Sequence, residues 1–403
     1  MAVIAAARPG RGAEVVIVGG GVEGTAAAWS LTQRGVRDVL VLERETVGSG
    51  GTGKSSGIVR CHYGVPSLAA MAWQGLRLFE AAADVLGEDV GFRQTGYLIA
   101  VGAPNVAALH ANLSAQQALG IETTAISRED AAELWPSANL ADFAGFGYER
   151  RGGYGDAYRT AQAFAAAARR GGATVRQGTA AVSVLRQRGR VTGVRLADGD
   201  VVPAGLVVVA AGPWSPGLVA PLGIDLPVRA CREQILLVAP GLDLGQAPVL
   251  SDLVSLQYVR TEASGELLCG NSDLHSLESA DPDNYRRGTD PGFVEAAVVK
   301  LAHRFPGLPE AAISSGYAGC YDVTPDFNPI ISTTDIPGLV IAAGFSGHGF
   351  KISPAVGALV ADLVCTGSSR DPDIPAGDFR LSRFAEGDLL TSHHPYAGAA
   401  QMR

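Results

Sequence analysis

A glycine-rich turn near the N-terminus constrains the fold more than any other part of this sequence. Glu14–Val18 reads EVVIV, a β-branched run that is typical of a buried parallel strand. It leads into GGGVEG, then into the alanine-rich AAAWSLTQRG, and then into VLVLE, which ends at Glu43. Strand, glycine turn, helix and second strand in this order predict a dinucleotide-binding βαβ unit.

Each residue of this motif has a physical role. Gly19 permits the tight turn, Gly21 lets the backbone approach a pyrophosphate, and Gly24 lets the helix pack on the strand. The helix N-terminus supplies amide groups and a positive dipole end. Glu43, about 20 residues further on, can accept a hydrogen bond from a ribose hydroxyl. FAD and NAD use the same motif, so it leaves the choice between them open.

Composition excludes several other classes of protein. Of 403 residues, 47% are hydrophobic and 18% are charged, the net charge is −8, and no basic tract stands out. The apolar stretches are strand-sized, so we expect neither a nucleic-acid partner nor a membrane span. We expect no zinc site, no other metal site and no disulfide framework, and a cytoplasmic location, because no CxxC pair occurs among Cys61, Cys231, Cys269, Cys320 and Cys365.

The chain predicts an α/β protein, α+β overall, in which the dinucleotide-binding half is split by a second half rich in antiparallel strands. We expect a disordered lead over 1–12 and not a signal peptide, and a loose tail over 386–403 in which His393 and His394 are solvated. The nucleotide-binding domain is expected to comprise residues 13–90, 150–225 and 316–385. The inserted substrate domain is expected to comprise residues 91–149 and 226–315.

Two further glycine-rich segments predict ligand contacts. The loop over residues 45–64 is too long for a plain connection. The stretch GFSGHGFKIS, from Gly344 to Ser353, follows the apolar run Leu339–Ala343 and precedes a helix predicted to start near Pro354. From its residues alone, this stretch is compatible with a phosphate cradle, a metal site, a nucleophile site or a plain loop.

Four blocks of the chain resemble one family over nearly its whole length. They are VVIVGGGVEGTAAAWSLTQRG…VLVLE, GTGKSSGIVRCHYG, LVVVAAGPWS and GCYDVTPDFNPII…GLVIAAGFSGHGFKISPAVG. They are similar to the D-amino-acid-oxidase (DAO) superfamily of flavoproteins, and most of all to its sarcosine oxidase, glycine oxidase and sarcosine oxidase β-subunit branch. The resemblance implies FAD bound in extended form across a split Rossmann-type domain, with an antiparallel-sheet domain over the flavin. It also implies an amine or amino-acid substrate, C–N oxidation to an imine by hydride transfer to flavin N5, and reoxidation by molecular oxygen to give hydrogen peroxide.

The resemblance also implies roles for five residues as active-site groups. Arg60, in IVRCHYG, and Lys351, in GFSGHGFK, match the two partners of the substrate carboxylate, and a guanidinium with an ammonium suits that anion. His348 matches a residue beside the flavin, with general base as its less favoured role. Tyr258 and Tyr321 match aromatic residues of the substrate pocket. The alternatives are a surface salt bridge for Arg60, a solvated charge for Lys351, and plain packing for the tyrosines.

The cofactor-binding positions follow from the same blocks. They are Gly19, Gly21, Gly24, Glu43, Arg44, Gly51, Thr52, Lys54, Ser55, Ser56, Val182, Ala211, Gly212, Trp214, Gly344, Gly347, His348, Gly349, Phe350 and Lys351. The Cys that carries the flavin covalently in sarcosine oxidase falls at Gly319 here, one residue before Cys320, and the His used in dimethylglycine dehydrogenase falls at Lys54. We therefore expect non-covalent FAD.

The oxygen-activating Lys of sarcosine oxidase is replaced here, which leaves an oxidase and a dehydrogenase open, besides a separate non-catalytic hypothesis. Its position falls at Leu268, and a pocket His falls at Ser272. The expected function is an FAD-dependent oxidase of a small amine with a carboxylate, in which Lys54 or Lys351 acts on oxygen instead. The alternatives are a dehydrogenase of an amino acid or 2-hydroxy acid with another electron acceptor, and a non-catalytic FAD-binding assembly protein.

Overall fold

A computed structural model describes residues 12–273, 277–308 and 310–398. The lead expected over 1–12 lies, except for Gly12, outside the described residues, and so do the last five positions of the expected tail. Helices α1–α10 span Val22–Gln33, Pro66–Glu80, Ala82–Leu86, Val106–Ala118, Arg128–Leu134, Ala157–Arg170, Ser215–Val219, Pro291–Arg304, Gly349–Thr366 and Arg383–Glu386. Strands β1–β19 span Ala13–Val18, Val39–Leu42, Ile58–Val59, Tyr97–Val101, Thr124–Ile126, Gly145–Glu149, Gly153–Tyr154, Thr174–Arg176, Ala181–Gln187, Arg190–Leu196, Val201–Val209, Arg229–Ala239, Val249–Asp252, Gln257–Thr261, Leu267–Asn271, Glu278–Ser279, Ala312–Val323, Ile330–Thr333 and Leu339–Ala343.

The first sheet has eight strands and carries the nucleotide-binding motif. Its order is β18-β19-β11-β1-β2-β8, with the β9–β10 hairpin attached to β11. Strands β19, β11, β1, β2 and β8 run parallel, so their carboxyl ends meet at one edge. Strands β2 and β19 are buried at every residue, because helices cover one face of the sheet and a second apolar cluster covers the other.

The second sheet has nine strands and is almost entirely antiparallel. Its order is β16-β12-β15-β14-β13-β4-β6-β5, with β17 along the other side of β12, and only the β4–β13 pair in it is parallel. Its core includes Trp135, Phe143, Phe146 and Phe305. A split parallel sheet with an inserted antiparallel sheet is the predicted α/β architecture, which is confirmed.

Strand β17 runs across the boundary that the sequence motifs suggested. That boundary was placed at residue 316, but β17 continues from Ala312 to Val323 and pairs with β12 from Ala239 to Arg229. The strand therefore belongs to the second sheet as far as its last residue, Val323. Motifs mark the chemistry of a segment, whereas a strand ends where its hydrogen-bonded partner ends.

The segment expected to be a loose tail is docked as far as it is described, so that expectation was wrong. Leu390 and His394 accept hydrogen bonds through their carbonyl groups from the side chains of Asn328 and Asn112. Tyr396 is 5% exposed. His393 is exposed as expected, whereas His394 is half-buried. Sequence composition did not reveal these contacts, because asparagine side chains from distant segments make them.

Helix α9 begins five residues earlier than predicted, at Gly349 instead of near Pro354. Pro354 lies inside the helix and cannot donate to the carbonyl of Phe350. The Ser353 hydroxyl donates to that carbonyl instead, at 2.9 Å. Of the described helices, α9 alone is long and apolar enough to cross a membrane, and 78% of it is buried inside the protein, as in a core helix.

Candidate active site

A cavity of about 500 Å³ lies at the carboxyl edge of the parallel strands. The ends of β1, β2 and β11 and the starts of α1 and α9 line it, which is where open α/β sheets bind nucleotides. Most of the predicted cofactor positions reach it, namely Gly19, Gly21, Glu43, Arg44, Gly51, Thr52, Ser55, Ser56, Val182, Ala211, Gly212, Trp214, Gly347, Gly349, Phe350 and Lys351. Gly24, Lys54, Gly344 and His348 are not part of this lining.

The glycine motif is packed too closely for any side chain at two positions. Gly19 has φ +113°, and a Cβ built there would lie 2.2 Å from the Ala210 carbonyl oxygen. A Cβ on Gly24 would lie 2.0 Å from the Gly19 carbonyl oxygen. Gly24 therefore serves the approach of α1 to β1, while Gly19 opens the turn beside the cavity.

The carboxylate of Glu43 is held in place by backbone amides. Its Oε2 accepts from Gly20 N at 2.7 Å and its Oε1 accepts from Glu45 N at 2.9 Å. We call Glu43, Arg44 and Trp214 the ribose side of the cavity. On this side the Arg44 guanidinium lies 4.0 Å from the centre of the Trp214 ring.

A contact between the two domains lies on the ribose side. Asp283 Oδ1 accepts from Arg44 Nη1 at 2.7 Å and from Trp214 Nε1 at 3.0 Å. The hydrogen bond from Arg44 is the main cause of a lowered pKa of Asp283; burial opposes it, and the hydrogen bond from Trp214 lowers the pKa further. Arg44 and Trp214 line the cavity, whereas Asp283 comes from the loop between β16 and α8.

The glycine- and serine-rich loop over residues 45–64 closes over the start of α1. The Thr52 hydroxyl accepts from Val22 N, in the first turn of α1, at 3.0 Å. Lys54 Nζ donates to the carbonyls of Ser49 and Gly50 at 2.9 and 3.0 Å. Burial first, then Arg287, lowers the pKa of Lys54. Lys54 thus stabilises its own loop, and the structure does not bring it into the cavity lining.

The other side of the cavity, which we call the α9 side, is formed by Tyr321, Asp322, Phe350 and Lys351. Lys351 is 6% exposed and lies in the first turn of α9. Asp322 Oδ2 accepts from Gly344 N at 2.7 Å. Burial raises the pKa of Asp322 to about 6, although the amides of Gly344 and Phe345 oppose that rise.

Sequence reasoning missed Glu23, which lines the cavity between the ribose side and the α9 side. Its side chain is buried, and neither carboxyl oxygen has a hydrogen-bonding partner in the described part of the chain. Burial raises its pKa well above the usual value, Asp322 raises it further, and Lys351 opposes the rise. The available signal was an acid inside the glycine motif, at the start of an otherwise apolar helix.

Arg60 and His348 lie behind the cavity lining, joined by one tyrosine. Arg60 is 6% exposed, donates through Nη1 to the His62 carbonyl, and places its guanidinium 4.2 Å from the centre of the Tyr63 ring. His348 is 1% exposed, and its Nδ1 lies 3.1 Å from the Tyr63 hydroxyl. The structure therefore links these two predicted residues through Tyr63, and neither of them is part of the cavity lining.

Tyr258 lies on β14, outside the cavity lining, with its phenol against Gly270 of β15. A Cβ built on Gly270 would lie 2.1 Å from the Tyr258 hydroxyl oxygen. Burial first, then Tyr321, raises the pKa of Tyr258. The sheet thus positions Tyr258 near Tyr321, which does line the cavity.

The cavity fits a dinucleotide cofactor on several independent grounds. The backbone at Gly19 leaves no room for a side chain, Glu43 is fixed at the end of β2, and two helices start at the lining. Glu23 adds a buried polar group without a protein partner within residues 12–273, 277–308 and 310–398. In the same residues, no group of three or more His, Cys, Asp or Glu side chains is arranged to hold a metal ion.

Comparison with known proteins identifies the family. The family described as FAD dependent oxidoreductase (DAO) matches residues 14–363. Sarcosine oxidase subunit beta of Rhodobacter capsulatus is 27% identical over 392 residues, which are 96% of this chain and 92% of that protein. The 4-methylaminobutanoate oxidase (formaldehyde-forming) of Paenarthrobacter nicotinovorans is 29% identical over 381 residues; the match covers 92% of this chain but only 45% of that relative.

The fold agrees with this match. The crystal structure of L-proline dehydrogenase from P. horikoshii superimposes with a TM-score of 0.86 at 27% identity, over 94% of this chain and 100% of that one. The family match spans the glycine motif, the second sheet and α9 as far as residue 363. The chain belongs to the DAO family of FAD-dependent oxidoreductases.

Proposed function

We propose that this protein is an FAD-dependent oxidase of a small amine that carries a carboxylate, such as an amino acid or an N-alkyl amino acid. The observation that carries the proposal is the buried side chain of Lys351 in the wall of the cofactor cavity, which Tyr321 also lines. The names of two relatives, sarcosine oxidase and 4-methylaminobutanoate oxidase, specify substrates that combine an amine with a carboxylate.

Lys351 suits an anionic ligand for two reasons. It lies in the first turn of α9, where the helix dipole also favours negative charge. Of the described cavity-lining residues, only Arg44 and Lys351 are Lys or Arg, and Arg44 is held on the ribose side by Asp283. Lys351 is therefore the residue that we assign to the substrate carboxylate. Arg60, which follows the lining residue Ile58 by two positions in the chain, is assigned as a second partner.

The division of work between cofactor and protein follows from this arrangement. Bound FAD supplies a two-electron acceptor, so the reaction needs no side-chain nucleophile. Lys351 binds the carboxylate and orients the amine-bearing carbon, and Tyr321 provides one wall of the pocket. The burial of these groups excludes water, which strengthens the ion pair between the ammonium and the carboxylate. His348, hydrogen-bonded to Tyr63, supports the start of α9.

We also propose that FAD is held without a covalent bond. Cys320 lines the cavity, but burial raises the pKa of its thiol to about 11, which opposes formation of the reactive thiolate. Gly319, where sarcosine oxidase has its attachment Cys, faces Lys54 instead: a Cβ built there would lie 2.9 Å from Lys54 Cβ. Acid precipitation of the purified protein tests this, since non-covalent flavin stays in the supernatant.

The substrate proposal is tested by anaerobic bleaching of the bound flavin with a panel of amino acids, N-methylamino acids, 2-hydroxy acids and uncharged amines. We expect amines that carry a carboxylate, which we call acidic amines, to bleach the flavin, and hydrogen peroxide to form once air is admitted. Lys351→Gln should raise KM for acidic amines by about ten- to a hundredfold, because a charge-assisted hydrogen bond is lost. Its effect on uncharged amines should be small.

Lys300→Gln is the matched control, since Lys300 lies on α8 and outside this cavity. It should leave both classes of substrate unaffected. Equal losses for acidic and uncharged amines in Lys351→Gln would remove the carboxylate assignment. Bleaching by 2-hydroxy acids alone would overturn the proposed substrate class.

A dehydrogenase with a non-oxygen acceptor is the second candidate. The fold similarity to a protein named L-proline dehydrogenase supports it, and so does the apolar Leu268, 1% exposed, at the position where sarcosine oxidase has its oxygen-activating Lys. Fast turnover with an artificial dye and no peroxide in air would favour it. Flavin that none of the amines or acids bleaches would favour a non-catalytic assembly role.

A further inference from the structure

Glu23 occupies an unusual place between the starts of two helices. It is the second residue of α1, which begins at Val22. Its Oε1 also approaches the start of α9 so closely that a Cβ built on Gly349 would lie 2.5 Å from it. Both helix N-termini direct positive dipole ends toward this region, where carboxylates and anionic ligands are stabilised.

The charged and titratable groups that face Glu23 come from two other elements. Asp322 lies near the end of β17, and Lys351 lies in the first turn of α9. His348 stands at the N-cap of α9, one residue before Gly349, and its Nδ1 faces Tyr63. Glu23, Asp322 and Lys351 all line the cofactor cavity, so these two acidic residues and one lysine form a buried cluster on its wall.

A carboxyl group buried in this position lowers the stability of the folded protein, which indicates a functional role for it. Glu23 is 8% exposed, and neither of its oxygens is hydrogen-bonded within the described residues. A buried polar group without a hydrogen-bonding partner destabilises the folded protein. Burial, assisted by Asp322, raises the pKa of Glu23 well above its usual value, so the neutral acid persists at higher pH than for a solvated Glu. A neutral acid can donate as well as accept a hydrogen bond.

We propose that Glu23 is a proton-holding residue of the flavin site, which takes up one proton when the bound FAD accepts two electrons. The proposal rests on the proposed cofactor but not on the identity of the substrate. A flavin held in this cavity would gain negative charge with two electrons, and an ionised Glu23 in the cavity wall would repel that charge. A proton from solvent therefore forms an O–H bond on Glu23 whenever Glu23 was ionised before the electrons arrived.

The pH dependence follows from this linkage. At pH values where Glu23 is neutral in both states, no additional proton is taken up. At higher pH, Glu23 is ionised before reduction and neutral after it, so the midpoint potential falls more steeply with pH. One proton per two electrons corresponds to about 30 mV per pH unit for a two-electron couple. Glu23→Gln keeps the shape and the polarity but holds no proton.

The experiment is a titration of the flavin midpoint potential with a reference dye, from acidic to basic pH, on flavin-loaded wild type and Glu23→Gln. Reduction by dithionite or light makes the readout independent of any substrate. We expect the two proteins to agree at acidic pH. At basic pH the reduction equilibrium of wild type should be at least tenfold less favourable than that of the variant. Superimposable profiles across the whole range would overturn the proposal.

A second measurement protects the test against a variant that fails to fold. Reduced-minus-oxidised infrared spectra of the wild type, recorded at basic pH, should show a new band from a protonated carboxyl group. Absence of that band overturns the proposal. Failure of the substrate proposal would give a different result. Amines would not bleach the flavin, but dithionite would still reduce it. A purified chain that retains no flavin would overturn both.

Discussion

Gly24 illustrates how tightly individual residues are fitted around the cavity. A Cβ at this position would lie 2.0 Å from the Gly19 carbonyl oxygen, and backbone on both sides prevents easy relief. We expect Gly24→Ala to destabilise the fold by about 1–3 kcal/mol or more through overpacking. We also expect it to lower the retained FAD, because α1 moves away from β1 at the pyrophosphate-binding turn. Thermal unfolding and flavin content of the purified protein measure both effects.

Gly292→Ala is the matched control for this change. Gly292 is the second residue of α8, and a Cβ built on it meets nothing within 4 Å. Alanine there should leave stability unchanged or raise it by a few tenths to about 1 kcal/mol, since alanine favours helix. Similar losses in both variants would mean that close packing is not the reason for glycine at position 24.

Residues whose role depends on backbone geometry were the most predictable at this scale. The spacing of Gly19, Gly21 and Glu43 identified three residues of the cavity lining, because strand, turn and helix fix their positions locally. His348 was not predictable in the same way, since its direction is set by the hydroxyl of Tyr63, nearly 300 residues away in the chain. Glu23 was overlooked because burial, which raises its pKa, cannot be read from the sequence.

The C-terminal segment acts as an element in its own right although it is neither helix nor strand as far as it is described. The Tyr396 hydroxyl lies 2.7 Å from His62 Nε2, and the carbonyl of His62 accepts from Arg60. Ala397 and Asn105 also bond to each other in both directions, at 2.7 and 3.1 Å. The segment therefore covers the strand and loop that hold Arg60.

Tyr396→Phe should lower the free energy of unfolding by about 1–2 kcal/mol, because it leaves a buried imidazole nitrogen of His62 without that hydroxyl. A fall in the thermal midpoint of the purified protein would show it. Tyr158→Phe is the comparison, since Tyr158 is 44% exposed and its hydroxyl has access to solvent. An unchanged midpoint in Tyr396→Phe would contradict the structural role of this segment.

At the scale of elements, the apolar periodicity predicted helices and strands well where the core lies on one side. The sequence pattern predicts an amphipathic helix over residues 158–170 and another helix near residues 128–135. The structure has them at Ala157–Arg170 and Arg128–Leu134. The start of α9 was misjudged because Pro354 is a common sign of a helix boundary. A hydrogen bond from Ser353 compensates for it, and such a compensation depends on geometry.

At the scale of the whole molecule, the two domains meet at Asp283, Arg44 and Trp214. Since Arg44 and Trp214 line the ribose side of the cavity, Asp283 holds them in position from the other domain. We expect Asp283→Ala to speed dissociation of FAD by roughly three- to tenfold at low salt, in line with a partly exposed ion pair. Loss of flavin fluorescence quenching on dilution measures the rate.

Added salt should reduce this difference, because the pair is partly exposed and therefore screened. Glu295→Ala removes the same charge from an exposed position on α8 and serves as the control. An equal dissociation rate for Asp283→Ala and Glu295→Ala would show that the domain contact does not retain the cofactor.

The overall architecture was predictable because it follows from the order of motifs along the chain. The glycine motif at Gly19 and the block around Lys351 belong to one domain although more than 300 residues separate them, and the resemblance to one family supplied that connection. The domain boundary was less predictable. Strand β17 pairs with β12 in the second sheet and also lines the cavity at its end, and nothing in its local composition indicates this double role.

Strand β17 has a consequence for how ligands enter. It is paired with β12 in the second sheet as far as its last residue, Val323. Three of the residues near its end, Cys320, Tyr321 and Asp322, are also part of the cavity wall. If one sheet moved away from the other, either the hydrogen bonds between β17 and β12 would break or the end of β17 would leave the cavity wall. We therefore expect the two sheets to keep their relative position. A small molecule would then reach Lys351 through an opening formed by loops and side chains.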